Sequence, residues 1–248
     1  MADHGTPLNT KLEGRKATIN DSGVFKKTVD LLIPVNFTRL RCLALGSPTA
    51  EFQALYQLAF LILLVEKFDI KDVSCWDPAF TEDEKKLLES LNFSVEEKEE
   101  PQSAVVAKTL YYMPHAPRTF TNDFIKSIEP RWILGNDLTV TAGTLGKAKF
   151  LETLPTLATI VHMTEDQVPK KDDGFSTVSR RKKKNQKFVY KEPELEYPIR
   201  DMYFDQVQIT RIDGDSSQPW KDLFSDMALN VFKLKEVESA LEELSISK

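Results

Sequence analysis

Cysteine, histidine and glycine are all scarce in this 248-residue chain, at 2, 3 and 9 residues. Two cysteines, Cys42 and Cys75, cannot build a disulfide framework. They sit in apolar, strand-like runs, so the expectation is buried free thiols suited to a reducing compartment. The G-x-G-x-x-G fingerprint is missing: the sequence reads Gly46-Ser47-Pro48-Thr49-Ala50-Glu51, which argues against a tight pyrophosphate cradle for NAD or FAD. No H-x-x-x-H, C-x-x-C or serine-elbow pattern occurs, so there is no hydrolase or zinc signature and no metal is expected. A basic excess is lacking too. The net charge of -5 disfavours a dedicated nucleic-acid binder. The longest apolar run, Leu58 to Val65, is too short to cross a bilayer, and the opening MADHGTPLNTKLEGR has no apolar signal core. The setting expected from these absences is cytoplasmic or nuclear, with no membrane.

What is present is a strand–helix alternation. The apolar fraction of 41% and charged fraction of 29% suit one large soluble domain. Residues 1–16 read as a loose N-terminal arm. Asp21 and Ser22 cap a helix over Gly23 to Leu32, which Pro34 ends. Arg39 to Leu45 is a buried strand, followed by a largely apolar helix to Phe68. Asp72 to Trp76 is a second strand, and Thr81 with Glu84 makes a capping box for a helix over Glu82 to Leu91. Asn92 to Val95, Lys108 to Pro114 and Arg131 to Gly135 are further strands, with a helix over Thr121 to Ile128. Leu145 to Leu154 reads as helix and Ala158 to Met163 as a final parallel strand. Residues 164–198 carry the RRKKK run, Arg180 to Lys184, and read as a mobile charged insertion. Met202 to Thr210 is strand-like, and Trp220 to Phe232 and the C-terminal residues are helical. Strands that are apolar throughout indicate a sheet covered on both faces. The fold expected is α/β: a Rossmann-like, doubly wound, mostly parallel sheet in a single domain. Its core is 17–163, its flexible basic insertion 164–198, and 199–248 completes the domain with a strand and helices.

Open α/β sheets bind ligands beyond the carboxyl ends of their strands. Those ends carry Gly46-Ser47, Asp77-Pro78, Pro114-His115 and Gly135-Asn136. Gly46 lets backbone approach a ligand, and the helix amides after it offer an anion site. Asp77 stands where a carboxylate can hold ribose hydroxyls. The plainer alternatives are that Gly46 only makes the turn and Asp77 only caps the next segment. His115 is a candidate general base, metal ligand or haem ligand. Its plainer alternative is a hydrogen-bonded structural histidine. RRKKK is either an import signal or a solvated loop. Tyr111, Tyr112 and Trp132 are most simply core.

Four motifs occur in a fixed order: LALGS before the QLAFLILL helix, CWDPAFTEDEKKLLESLNFSV, TLYYMPHAP and WILGNDL. Together with FSDMALNVF they resemble the conserved core of the family named for reduced sensitivity to red light, in its fungal branch, which is named for benomyl resistance. The matched positions are Gly46, Gln57, Asp77, Pro78, Phe80, Pro114, His115, Gly135 and Asn136. Family members often carry Cys after the Pro–His pair, where this chain has Ala116. The resemblance implies a Rossmann-like domain and regulatory roles in circadian input, haem metabolism or microtubule-linked processes. It brings no settled catalytic activity. Two functions follow as expectations. One is a regulatory module that binds a nucleoside-type ligand or haem through Gly46, Ser47, Asp77, His115, Gly135 and Asn136, and signals through protein partners. The other is a Rossmann-type transferase using a nucleoside-containing cofactor.

Overall fold

The computed structural model describes residues 7–96, 103–165, 194–212 and 218–235. Two helices come first, α1 (Leu8–Asn20) and α2 (Gly23–Leu32). Ser22 caps α2, its Oγ accepting the Phe25 N–H at 3.1 Å. Strand–helix pairs follow: β1 (Arg39–Leu43) with α3 (Phe52–Phe68), then β2 (Asp72–Trp76) with α4 (Glu82–Ser90). Next come β3 (Ser94–Val95) with α5 (Ser103–Val106), and β4 (Thr109–Met113) with α6 (Arg118–Ile128). The remaining elements are β5 (Trp132–Asn136), α7 (Lys147–Thr153), α8 (Pro155–Glu165), β6 (Phe204–Arg211) and β7 (Met227–Leu234).

The strands make one seven-stranded sheet in the order β3-β2-β1-β4-β5-β7-β6. β1 to β5 are mutually parallel, and β7 runs antiparallel between β5 and β6. The chain steps outward from β1 to β3, then crosses back to lay β4 on the other side of β1. Helices pack on both faces. Leu40, Cys42, Leu110 and Tyr112 face α1, α2 and α3, while Leu43, Tyr111, Met113 and Ile133 face α6, α7 and α8. This double coverage explains why the strands are apolar at successive positions rather than alternating. Cys42 and Cys75 are register partners on β1 and β2, both free and fully buried. Burial, with a hydrogen bond from the Cys42 thiol to Cys75, pushes that thiol well above its usual range.

Three expectations from the sequence are corrected. Leu8–Asn20 is helix, not loose arm. Its apolar residues are too few to give a periodic signal, and tertiary docking decides: Leu12 and Ile19 are buried in the core with α3. The Arg15 guanidinium lies over the Phe52 and Tyr56 rings, 5.2 and 4.9 Å from their centroids. Ala158 to Met163 lies within α8 rather than forming a strand. Its β-branched residues suggest extended structure, but Pro155 starts the helix and Asn122 Oδ1 accepts the Thr156 and Leu157 N–H groups at 3.1 and 3.3 Å. Trp220 to Phe232 is not a helix: turns lead into β7 at Met227. Met227, Leu229 and Val231 meet one core and Phe232 and Leu234 the other, as a strand between two partners requires. Most of the 164–198 insertion, including RRKKK, and residues 236–248 lie outside the described residues.

Candidate functional site

The carboxyl ends of β1 and β4 lie side by side where the chain reverses its direction of winding. A cleft of about 470 Å³ opens there, within the range of small-molecule sites. Gly46 follows β1, Asp77 and Pro78 follow β2, and His115 follows β4; all line it. Trp76 and Phe120 form an aromatic wall, their rings stacked at 6.2 Å and 23°. The same pair separates the cleft from a second cavity of about 300 Å³ that reaches buried Arg41. The Arg41 guanidinium is held by Ser74 Oγ at 2.9 Å and by Glu96.

Backbone geometry marks this edge. Ala44 and His115 both hold left-handed conformations, φ 58° and 56°. For a residue with a Cβ this conformation costs about 1–2 kcal/mol. Three of the other non-glycine examples, Asp69, Asn92 and Glu129, end helices, where the conformation is routine. Ala44 and His115 instead follow adjacent parallel strands and face one cleft. Asn136 holds the second turn from outside the cleft. Its Oδ1 accepts the His115 N–H at 3.1 Å, and its Nδ2 donates to the Ala116 carbonyl at 3.2 Å.

The β1 loop is fixed by carboxylates. Asp77 Oδ2 accepts the Gly46 N–H at 2.9 Å, and its Oδ1 accepts the Ala79 N–H at 2.8 Å. Gly46 has φ 76°, and a Cβ there would stand 2.7 Å from Glu51 Oε2. The Gly46 amide is therefore already satisfied, with a second carboxylate beside it. Below the loop, fully buried Glu84 accepts from the hydroxyls of Ser47, Thr49 and Thr81 and from the Thr81 N–H at 2.9 Å. Burial pushes its carboxyl up, but these donors outweigh it and hold the pKa down to about 2. Glu84 thus caps α4 and clasps the β1 loop at once.

Of the residues expected at the site, Gly46, Asp77 and His115 meet in the cleft. Ser47 turns away to Glu84. Gly135 serves packing: a Cβ there would stand 2.6 Å from the Met113 carbonyl oxygen. Ala44, Glu51, Gln53, Trp76 and Phe120 line the cleft without having been signalled by the sequence. Only their neighbourhood to strand ends could have pointed to them. Among the described residues no cluster of three or more His, Cys, Asp and Glu side chains could hold a metal, and no helix is long and apolar enough to cross a membrane.

Comparison with known proteins adds the family. The SRR1 domain model matches residues 26–231. The chain belongs to the SRR1 family. An SRR1-like protein of Drosophila melanogaster is 31% identical over 99 residues, covering 40% of this chain and 36% of the relative. An SRR1-like protein of Mus musculus is 36% identical over 90 residues, covering 35% and 36%. The match thus spans about a third of the length of these curated relatives. No solved structure matches. Of the positions that carry the family resemblance, Gly46, Gln57, Asp77, Pro78 and His115 line the cleft of this SRR1 chain.

Proposed function

We propose that this SRR1-family chain is a regulatory protein that binds a small nucleoside-type ligand in the cleft between the carboxyl ends of β1 and β4, using its sheet in the Rossmann manner. The observation that carries the reading is the position of the cleft. It opens where the strand order reverses direction, which is where open α/β sheets hold ligands. The lining supports a nucleoside: an aromatic wall at Trp76 and Phe120 for a base, and Asp77, whose oxygens keep lone pairs free for hydroxyls. Two strained turns held by side-chain clamps support a site built for a ligand rather than a gap in packing. The reading takes the output to pass through protein partners in the cytoplasm or nucleus, in the circadian, haem or microtubule settings that the family resemblance implies.

The test is calorimetric titration of the full chain with adenosine, guanosine, cytidine and uridine, alongside mass spectrometry of small molecules that co-purify with it. At least one nucleoside is expected to bind, and Asp77→Ala or His115→Ala to weaken it tenfold or more. Binding unchanged in both variants would place the ligand elsewhere and overturn the reading.

A further inference from the structure

α3 is buried from Ala54 to Leu64, and all but one of those side chains is hydrocarbon or aromatic. The exception is Gln57, 3% exposed and lining the cleft. Its backbone carbonyl accepts from the Tyr112 hydroxyl at 3.3 Å, but no hydrogen bond among the described residues uses its side-chain amide. The side chain is otherwise enclosed and its amide gives onto the cleft, so in a helix face that is otherwise apolar its donor and acceptor are left to whatever occupies that space. One helical turn earlier, Gln53 lines the same cleft.

The charges around that amide have one sign. Glu51 and Asp77 line the cleft, and no Lys or Arg is among its lining residues. The Gly46 amide at the end of β1 is not available to an anion, because Asp77 accepts it. A phosphate would meet two carboxylates in a partly desolvated space with no Lys or Arg side chain in the lining to offset them. Ribose hydroxyls, an amine or a sulfonium would meet acceptors.

We infer that the cleft selects an unphosphorylated nucleoside or a cationic nucleoside derivative, with Gln57 as the residue that reads the base and Glu51 with Asp77 as the charges that reject phosphate. An amide side chain supplies one donor and one acceptor side by side, the complement of a base edge that presents the same pair. The inference rests on the nucleoside reading above and narrows it.

The experiment titrates the full chain with adenosine, AMP and S-adenosylmethionine at two salt concentrations. Adenosine and S-adenosylmethionine are each expected to bind at least tenfold more tightly than AMP, and the gap is expected to shrink as salt rises. Glu51→Gln is expected to narrow the gap by strengthening AMP. Gln57→Leu is expected to weaken adenosine at least tenfold while keeping a cooperative melt, which reports that the variant folds. AMP binding as tightly as adenosine, or adenosine unaffected by Gln57→Leu in a folded variant, would overturn the inference and leave the nucleoside reading standing. Failure of all three ligands, together with the four nucleosides above, would overturn both.

Discussion

Glu84 does two jobs with one carboxylate. It completes the capping box of α4 and gathers the hydroxyls of Ser47 and Thr49 from the loop that frames the cleft. Because its folded pKa of about 2 lies below the ordinary 4.5, the stability it confers is fully present above pH 4.5 and lost as pH falls from about 4.5 to about 2. Glu84→Gln is expected to lower stability at neutral pH by about 2 kcal/mol, since hydrogen bonds to a charged group are replaced by neutral ones. It should also flatten the acid limb in that window; urea melts of both proteins from pH 7 to pH 2.5 check this. The two glycines at the strand ends, Gly46 in the cleft and Gly135 in the packing behind it, differ in the same residue-level terms. At Gly46 an added Cβ meets the movable end of Glu51, so Gly46→Ala is expected to cost about 1–2 kcal/mol, mostly from the left-handed backbone. At Gly135 it meets the Met113 backbone oxygen, which cannot step aside without parting β4 from β5. Gly135→Ala is expected to cost about 3 kcal/mol and to lower the melting temperature further than Gly46→Ala does.

At the level of elements, the sequence was most legible where local chemistry and tertiary placement agree. Ser22, the Thr81–Glu84 box and the run Asp72 to Trp76 give their elements within a residue or two, because caps and continuous apolar strands carry their own signal. It misled where a long-range partner decides. Ala158 to Met163 has strand-like residues but becomes helix because Asn122, on α6, caps its start. Met227 to Leu234 follows a stretch that suits a helix, yet it becomes strand because β5 and β6 both offer it a ladder. The site was legible in the same way. The strand ends pointed to Gly46, Asp77 and His115, whereas Glu51 and Phe120, on the loop before α3 and on α6, join them only because β1 and β4 pair side by side. With a partner on each side, β7 is expected to exchange its amide hydrogens as slowly as β4, and β6 at the sheet edge far faster. Hydrogen exchange read by mass spectrometry checks this, and fast exchange over Met227–Leu234 would contradict the strand assignment.

For the molecule as a whole, the order β3-β2-β1-β4-β5-β7-β6 divides the sheet at β1 and β4. One half of the chain supplies the wall with Gly46, Gln57 and Asp77, and the other supplies His115 and Phe120. Neither half holds a cleft alone. Pairing β1 with β4 closes a long loop, the kind of contact that forms slowly in folding. The cleft is therefore expected to be assembled late on the way in and breached early on the way out. A bound nucleoside is accordingly expected to slow unfolding in proportion to its occupancy while leaving the refolding rate unchanged. Stopped-flow measurements with and without adenosine would read both limbs, and acceleration of refolding would mean that the cleft forms before the halves dock. On the function proposed above, the crossover is expected to set a lifetime as well as a location: occupancy of a site that spans the two halves would lengthen the time the folded chain persists.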